Sequence, residues 1–403
     1  MSTLPLNIGS ASVSAARSPM LFAGCIGFFF VFRVSLIFLF FQSNPVAGTE
    51  LTIALDLTLI FAAIFFTTND RIRTRQFPLN APIRWIFAML AFSLASIAWT
   101  GAQSVVAALG YWTGMAADIV IVLLLLRHGD VVGATEAIMK GVVWGAAALA
   151  LIAWCSPPTA DLRIGNEDFL HPNTLGLELA IATLIAQYLA PQGARWRWLG
   201  IALAITLLRT LSKTSIIAFT IAECWYLMRT RRLTRKAKLR ICAAALVVLA
   251  CFWPLLSSYF DTYNNTGSGN QAETLTGRTA IWAVAFAMGL DKPWLGHGFY
   301  SFRALVPAFG AFEPWEAHNE LLQEFFEYGL VGVVIVIGTY LSLYRHIRKA
   351  PANELKSLAL AVLLFALIHG LTDAVNFDLT YPIWLIAALS LALAQPGIAE
   401  VGL

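Results

Sequence analysis

Charged side chains are scarce in this 403-residue chain, at 12% of residues, against roughly a quarter in soluble proteins. That shortage excludes an ordinary water-soluble enzyme. Cysteine is sparse and scattered. Cys25, Cys155, Cys224, Cys242 and Cys251 fall inside or at the ends of apolar runs, with no CxxC pair and no Cys/His cluster at ligand spacing. Neither a disulfide framework nor a structural zinc is expected. No second soluble domain and no internal repeat is visible, and without inverted repeats a secondary transporter loses its best sequence support. Apolar side chains, in contrast, are abundant. Hydrophobic residues make up 59% of the chain, with 27 Phe and 13 Trp, and the mean hydropathy is +0.72. A disordered chain lacks the apolar surface to offset ordering entropy. The expected solvent is a bilayer, with 1–403 a single integral membrane domain.

A hydrocarbon core about 30 Å thick takes about 20 helical residues, and apolar runs near that length recur about twelve times. They fall at 21–42, 51–67, 82–99, 105–126, 136–155, 173–190, 197–211, 214–228, 241–257, 329–345, 357–370 and 381–395. The expected fold class is all-α: a polytopic membrane protein of about twelve transmembrane helices, with a large, partly helical loop between spans 9 and 10. The seventh and eighth runs meet at Leu211-Ser212-Lys213-Thr214 and can form one broken hairpin with its tip in the membrane. Arg17 precedes the first run, which is too long for a cleaved signal and reads as a signal anchor. Counting loops from a cytoplasmic N-terminus puts both termini inside, and the basic residues agree. Arg71, Arg73, Arg75, Arg127, Arg195, Arg197, the cluster from Arg229 to Arg240, and Arg345, Arg348, Lys349 and Lys356 all fall on the inner side. The outer loops hold only Arg163, Arg209, Lys213, Arg278, Lys292 and Arg303. A net charge of +4 distributed this way reflects membrane orientation and lipid contact, not nucleic-acid binding.

One outer loop, 257–328, is far longer than the rest, and loops of that length are usually functional or disordered. It opens with the glycine-rich Asn264–Asn270 and then becomes aromatic. From Thr276, Trp282, Ala285, Phe286 and Gly289 fall at helical spacing, and Asp291-Lys292-Pro293 supplies a stop, which predicts an amphipathic helix at the outer membrane surface. A second helix is expected to begin after Pro314 and to lead into the tenth span. Its spacing puts Glu316, Glu320, Gln323, Glu324 and Glu327 on one side and His318, Leu321, Leu322 and Phe325 on the other. His318 then points toward protein or membrane at the outer rim, as a candidate base able to titrate near neutral pH.

Arg278 stands in the first turn of the preceding helix, where unsatisfied amides also favour an anion. Lys213 and Arg209 add positive charge near the outer end of the hairpin. Together the three point to an anionic ligand, although each alone reads as a solvated or snorkelling side chain. His171 and Asn173 at the start of the sixth span, and His369 with Asp373 at the end of the eleventh, are candidates to line the same cavity, with Asn319 and Glu327 beside them. Pro293-Trp294-Leu295-Gly296-His297-Gly298 reads as a glycine-permitted turn with a structural histidine. Arg33, Asp56, Asp118, Glu178 and Glu223 lie within spans, where each needs a partner or a cavity.

The Gly277-Arg278 helix start, the Pro293–Gly298 turn followed by Phe302, and His318-Asn319 with Leu322, Glu327, Gly329 and Gly332 give residues 276–345 a composite signature. It resembles the O-antigen ligase and polymerase superfamily of bacterial membrane glycosyltransferases. The resemblance implies an inner-membrane enzyme with a periplasmic catalytic loop and a glycan on undecaprenyl pyrophosphate as donor. It implies Arg278 on the pyrophosphate, helped by Lys213 or Arg209, where the family commonly has Ser-Arg and this chain has Ser212-Lys213. It makes His318 the general base for an inverting transfer that uses no metal and no cofactor. Lipid A-core is the favoured acceptor. Polymerisation onto another lipid-linked glycan and transfer to protein hydroxyls share the same donor chemistry, and a polysaccharide or lipid transporter is the reading from another class.

Overall fold

The computed structural model describes residues 9–41, 45–68, 79–127, 130–158, 163–165, 170–264, 276–309, 313–374 and 381–395. The glycine-rich run after Asn264, the basic residues Arg71, Arg73 and Arg75, and both chain ends lie outside them. The regular elements among the described residues are helical: α1 Gly9–Phe40, α2 Pro45–Thr68, α3 Ala81–Ser96, α4 Val105–Leu126, α5 Val131–Cys155, α6 Pro172–Leu189, α7 Ala194–Arg209, α8 Lys213–Arg229, α9 Arg235–Asn264, α10 Thr276–Asp291, α11 Glu320–Lys349, α12 Glu354–His369 and α13 Tyr381–Leu393. Each of the expected apolar runs coincides with a helix. Their starts follow from short polar caps: Asn80, Ser104, Asp130 and Asn353 each accept an amide of the first turn, and Pro82 and Pro172 stand where a helix tolerates proline.

Coincidence with a helix is not a crossing. Five helices among the described residues are long and apolar enough to span a membrane: Ala81–Trp99, Val105–Leu126, Val131–Cys155, Pro172–Gln192 and Glu320–Lys349. The structure thus supports fewer spans than the sequence suggests. Rise per residue explains two of the shortfalls. The 16 residues of α7 and 17 of α8 extend only about 25 Å at 1.5 Å each, short of an apolar core of about 30 Å. Their junction at Thr210, Leu211 and Ser212 is buried in protein.

Close backbone contact builds the core. Glycines let α1 lie directly on α5, because a methyl group on Gly141 would sit 1.9 Å from the Gly24 carbonyl oxygen and one on Gly27 2.1 Å from that of Ile138. Helix α6 is buried on all sides from Leu175 to Ala186, as an apolar helix at the centre of a bundle must be. The helix ends then sort chemically. At one end, Glu354 accepts from Thr230 and the Arg231 amide while Arg232 donates to the Tyr188 carbonyl, which gathers the basic ends of α8 and α9 around the start of α12. The other end gathers the starts of α6, α8, α10 and α11 and the end of α12.

Candidate functional site

A broken helix sets the site's geometry. Helix α11 is interrupted at Gly329, whose φ of 63° is open to glycine and strained for other residues. The Pro293–Gly298 turn inserts into the break. His297 and Gly298 amides donate to the Phe326 and Glu327 carbonyls, and the Leu330 and Val331 amides donate to Pro293 and Trp294. The polar groups freed by the kink are therefore satisfied. A methyl group on Gly296 would meet the Glu327 backbone at 2.3 Å, and one on Gly329 would meet Trp294 at 2.4 Å. His297 bonds the Met288 carbonyl at 2.9 Å and stacks on Phe326.

The turn carries α11 to a start at Glu320, not just after Pro314. Asn319 is the N-cap, accepting the Leu322 amide at 3.0 Å, and donates to the Leu371 carbonyl at 2.9 Å. His318 therefore lies off the helix, in the left-handed region at φ 49°, an outlier of the kind that clusters at functional sites. Within the helix, the acidic side expected from the spacing faces the protein. Glu320, Gln323, Glu324 and Glu327 are buried and Leu321 is 43% exposed. The reason is the solvent: lipid takes the apolar side and the protein interior takes the polar one. Glu327 approaches the Phe302 amide, and Gln323 accepts from the Ala317 amide.

Leaving the helix lets His318 meet two carboxylates. Its Nδ1 lies 3.0 Å from Glu316 Oε1 and 3.5 Å from Asp373 Oδ1, yet neither oxygen meets the ring nitrogen in hydrogen-bond geometry. Burial opposes charge on the imidazole, but the two carboxylates outweigh it and raise His318 to about 9. Burial and the neighbouring Asp373 charge push Glu316 up to about 8. Asp373 goes the other way: burial opposes its charge, but Glu316, His318 and His369 hold it well below the usual carboxylate range. The three groups titrate as one unit, the carboxylates and the imidazole pushing one another in opposite directions. The three ligand atoms lie within 4.8 Å of one another, a spacing that a divalent ion would also accept.

From Asp373 the contacts run to the hairpin tip. His369 Nε2 is 3.9 Å from Asp373 Oδ2 and 3.3 Å from Ser215 Oγ, which is 2.9 Å from Ser212 Oγ. Thr372 and Thr214 hydroxyls meet at 2.8 Å, and Arg278 donates to the Thr372 carbonyl. Lys213 is exposed in the first turn of α8, and Arg209 is half-buried in the last turn of α7. His171 accepts the Asn173 amide at 3.3 Å, while the Asn173 side chain accepts from Arg163 at 2.7 Å. Burial, with Arg163, His318 and Arg278 nearby, lowers His171 to about 4, so it stays neutral near pH 7. His171, Asn173, Lys213, Arg278, His318 and Asn319 thus gather at one end of the bundle, while Glu327 supports the turn from inside. Sequence reasoning did not find Arg163, Ser215 or the pairing of Glu316 with His318. Spacing two apart in extended chain was the available signal for the last. Beside Asn319, an apolar cleft of about 500 Å³ opens between Phe286, Leu290, Leu322, Phe325 and Val333.

Such an apolar helical bundle, with a partly buried acid–histidine group and basic side chains at one end, is a membrane protein. Residues 198–337 match the model of the O-antigen ligase family. An O-antigen ligase of Pseudomonas aeruginosa is 25% identical over 192 residues, covering 46% of this chain and 44% of the relative, so the match spans less than half of that protein's length.

Proposed function

We propose that this protein transfers a glycan from undecaprenyl pyrophosphate to an acceptor hydroxyl on the periplasmic face of the bacterial inner membrane, with lipid A-core as acceptor. The observation that carries this reading is the meeting of His318, Glu316 and Asp373 with Arg278 and the Ser212-Lys213 tip at one end of the bundle. Similarity to an O-antigen ligase favours ligation as the use of that chemistry. The apolar cleft beside Asn319 suits an isoprenoid chain entering from lipid. The basic clusters sit at the opposite end, which favours placing that end in the cytoplasm. In this reading the remaining helices complete about twelve crossings.

The two carboxylates lie beside Nδ1 of His318, which leaves Nε2 to the acceptor, a division of labour like that of acid–histidine–nucleophile triads. Nε2 takes the hydroxyl proton as the acceptor oxygen bonds to the anomeric carbon. The bond from that carbon to the pyrophosphate oxygen breaks on the opposite face, so configuration inverts. Pyrophosphate departs with the electron pair, its charge met by Arg278 and by Lys213 with Arg209. No step passes through a metal or cofactor.

The test is deletion in the native host followed by complementation, with surface and lipid-linked glycans run side by side. Long chains held on the lipid carrier and absent from lipid A-core, restored by wild type but not by His318→Gln, are the expected result. Single repeats reaching the core would point to polymerisation. Full transfer by His318→Gln at normal expression would remove His318 as base.

A further inference from the structure

A second feature lies just upstream of His318. Arg303 sits over three aromatic rings: Tyr300 at 4.9 Å, Trp315 at 5.1 Å and Tyr111 at 5.6 Å from the ring centres. Tyr111 and Tyr300 stack with centroids 4.7 Å apart. The cluster joins Tyr111 of α4 to Tyr300, Arg303 and Trp315. Tyr300 is held in the left-handed region, at φ 65°. Its neighbours fix that conformation: the Thr100 hydroxyl donates to the Phe299 carbonyl, and the Phe299 amide donates to Ser96. Trp315 nonetheless remains 61% exposed and Tyr111 38%.

We propose that Trp315, Arg303, Tyr300 and Tyr111 form a saccharide-binding platform for an acidic acceptor glycan. An exposed indole offers a flat face to the C–H side of a sugar ring, and a guanidinium among rings offers charge and hydrogen-bond donors to phosphate or carboxylate substituents. Position selects the acceptor. Three residues of chain reach at most about 10 Å, so Trp315 lies within one or two sugar units of His318. The donor's pyrophosphate is assigned to Arg278 and the α8 tip, on other helices, which leaves this side for the second substrate. An aromatic belt at the membrane surface would use the same residue types, but a belt needs neither the pinned Tyr300 backbone nor an arginine centred on three rings.

The proposal rests on the transfer reading, and the two can fail separately. Wild type, Trp315→Ala, Trp315→Phe, Arg303→Gln and His318→Gln would be purified into nanodiscs and assayed with lipid-linked donor and lipid A-core. Trp315→Ala is expected to raise the acceptor KM about tenfold with kcat and donor KM nearly unchanged, and Trp315→Phe to recover most of the loss. Arg303→Gln should raise the KM for phosphorylated acceptor more than for dephosphorylated acceptor. Unchanged acceptor KM in Trp315→Ala, or a rise confined to the donor, overturns the platform. Full turnover by His318→Gln overturns the transfer reading instead.

Discussion

Two clusters of buried charge show how the same residue types serve different ends. In the first, Arg33 on α1 meets both oxygens of Asp118 on α4, at 2.6 and 2.7 Å, and Asp56 on α2 at 3.0 Å. The bonds are short, directional and shared among three helices, which is what a buried guanidinium requires to offset its desolvation. In the second, His318, Glu316 and Asp373 are close enough to share charge, but the ring nitrogen is not in hydrogen-bond geometry with either oxygen, and Asp373 Oδ2 and His369 Nδ1 have no hydrogen-bond partner. The first cluster binds the bundle together. The second holds its charges close together without the directional bonds of the first.

The sharpest way to break this comparison is to remove one member from each. His318→Gln should cut glycan transfer by at least about 100-fold, the scale of a lost general base, while the purified protein melts near the wild-type temperature. Asp118→Ala should do the reverse, removing about 3–5 kcal/mol of stability by leaving the guanidinium with Asp56 alone. Parallel melts and transfer assays in detergent decide it. If His318→Gln unfolds the protein, or Asp118→Ala melts like wild type and loses only activity, the division into structural and chemical clusters is wrong.

The pH profile sharpens the second cluster. With His318 raised to about 9, the neutral base is a minority at pH 7 and grows about tenfold per pH unit until that value is reached. Transfer should therefore rise between pH 7 and 9. Glu316 contributes to that raised value, so Glu316→Gln should move the rising limb to lower pH. Rates that fall over the same range would mean that imidazolium is the working form and that His318 holds charge, not a proton to exchange.

How much of this was legible in the sequence depended on distance along the chain. Helices were legible because apolar runs and caps such as Asn80 and Asn353 are local signals. The α10 helix and the Pro293–Gly298 turn were readable from spacing and from glycine. Pairings across the fold were not: Asp373 reaches His318, and Arg33 reaches Asp118, through packing that periodicity does not encode. Helical periodicity grouped the acidic residues of α11 on one side, but periodicity alone does not say which medium that side meets. In lipid, the exposed Leu321 and buried Glu324 are the natural arrangement. Crossing number is legible only in part: a run of apolar residues gives a helix, but five helices among the described residues are long and apolar enough to span.

Backbone strain supplies a smaller effect. Gly329→Ala places a methyl group 2.4 Å from the Trp294 backbone at a positive φ, which should lower stability by about 1–3 kcal/mol. A melt in detergent checks this, and an unchanged midpoint would mean the kink can relax. Because the turn locked into that kink leads to His318, activity should fall with it.

The smallest effect tests where the second cluster ends. Ser215 is 3.3 Å from His369, which is 3.9 Å from Asp373, so Ser215→Ala removes neutral contacts to His369, Ser212 and the Asn173 carbonyl at a site three contacts away from His318. A neutral hydrogen bond is worth about 0.5–1.5 kcal/mol, and transfer should drop by no more than about tenfold, with the pH profile unmoved. A loss matching that of His318→Gln would instead make the Ser212–Ser215–His369–Asp373 chain a working part of the proton path. The boundary between positioning and chemistry would then shift from His318 to the hairpin tip, beside the lysine assigned to the leaving pyrophosphate.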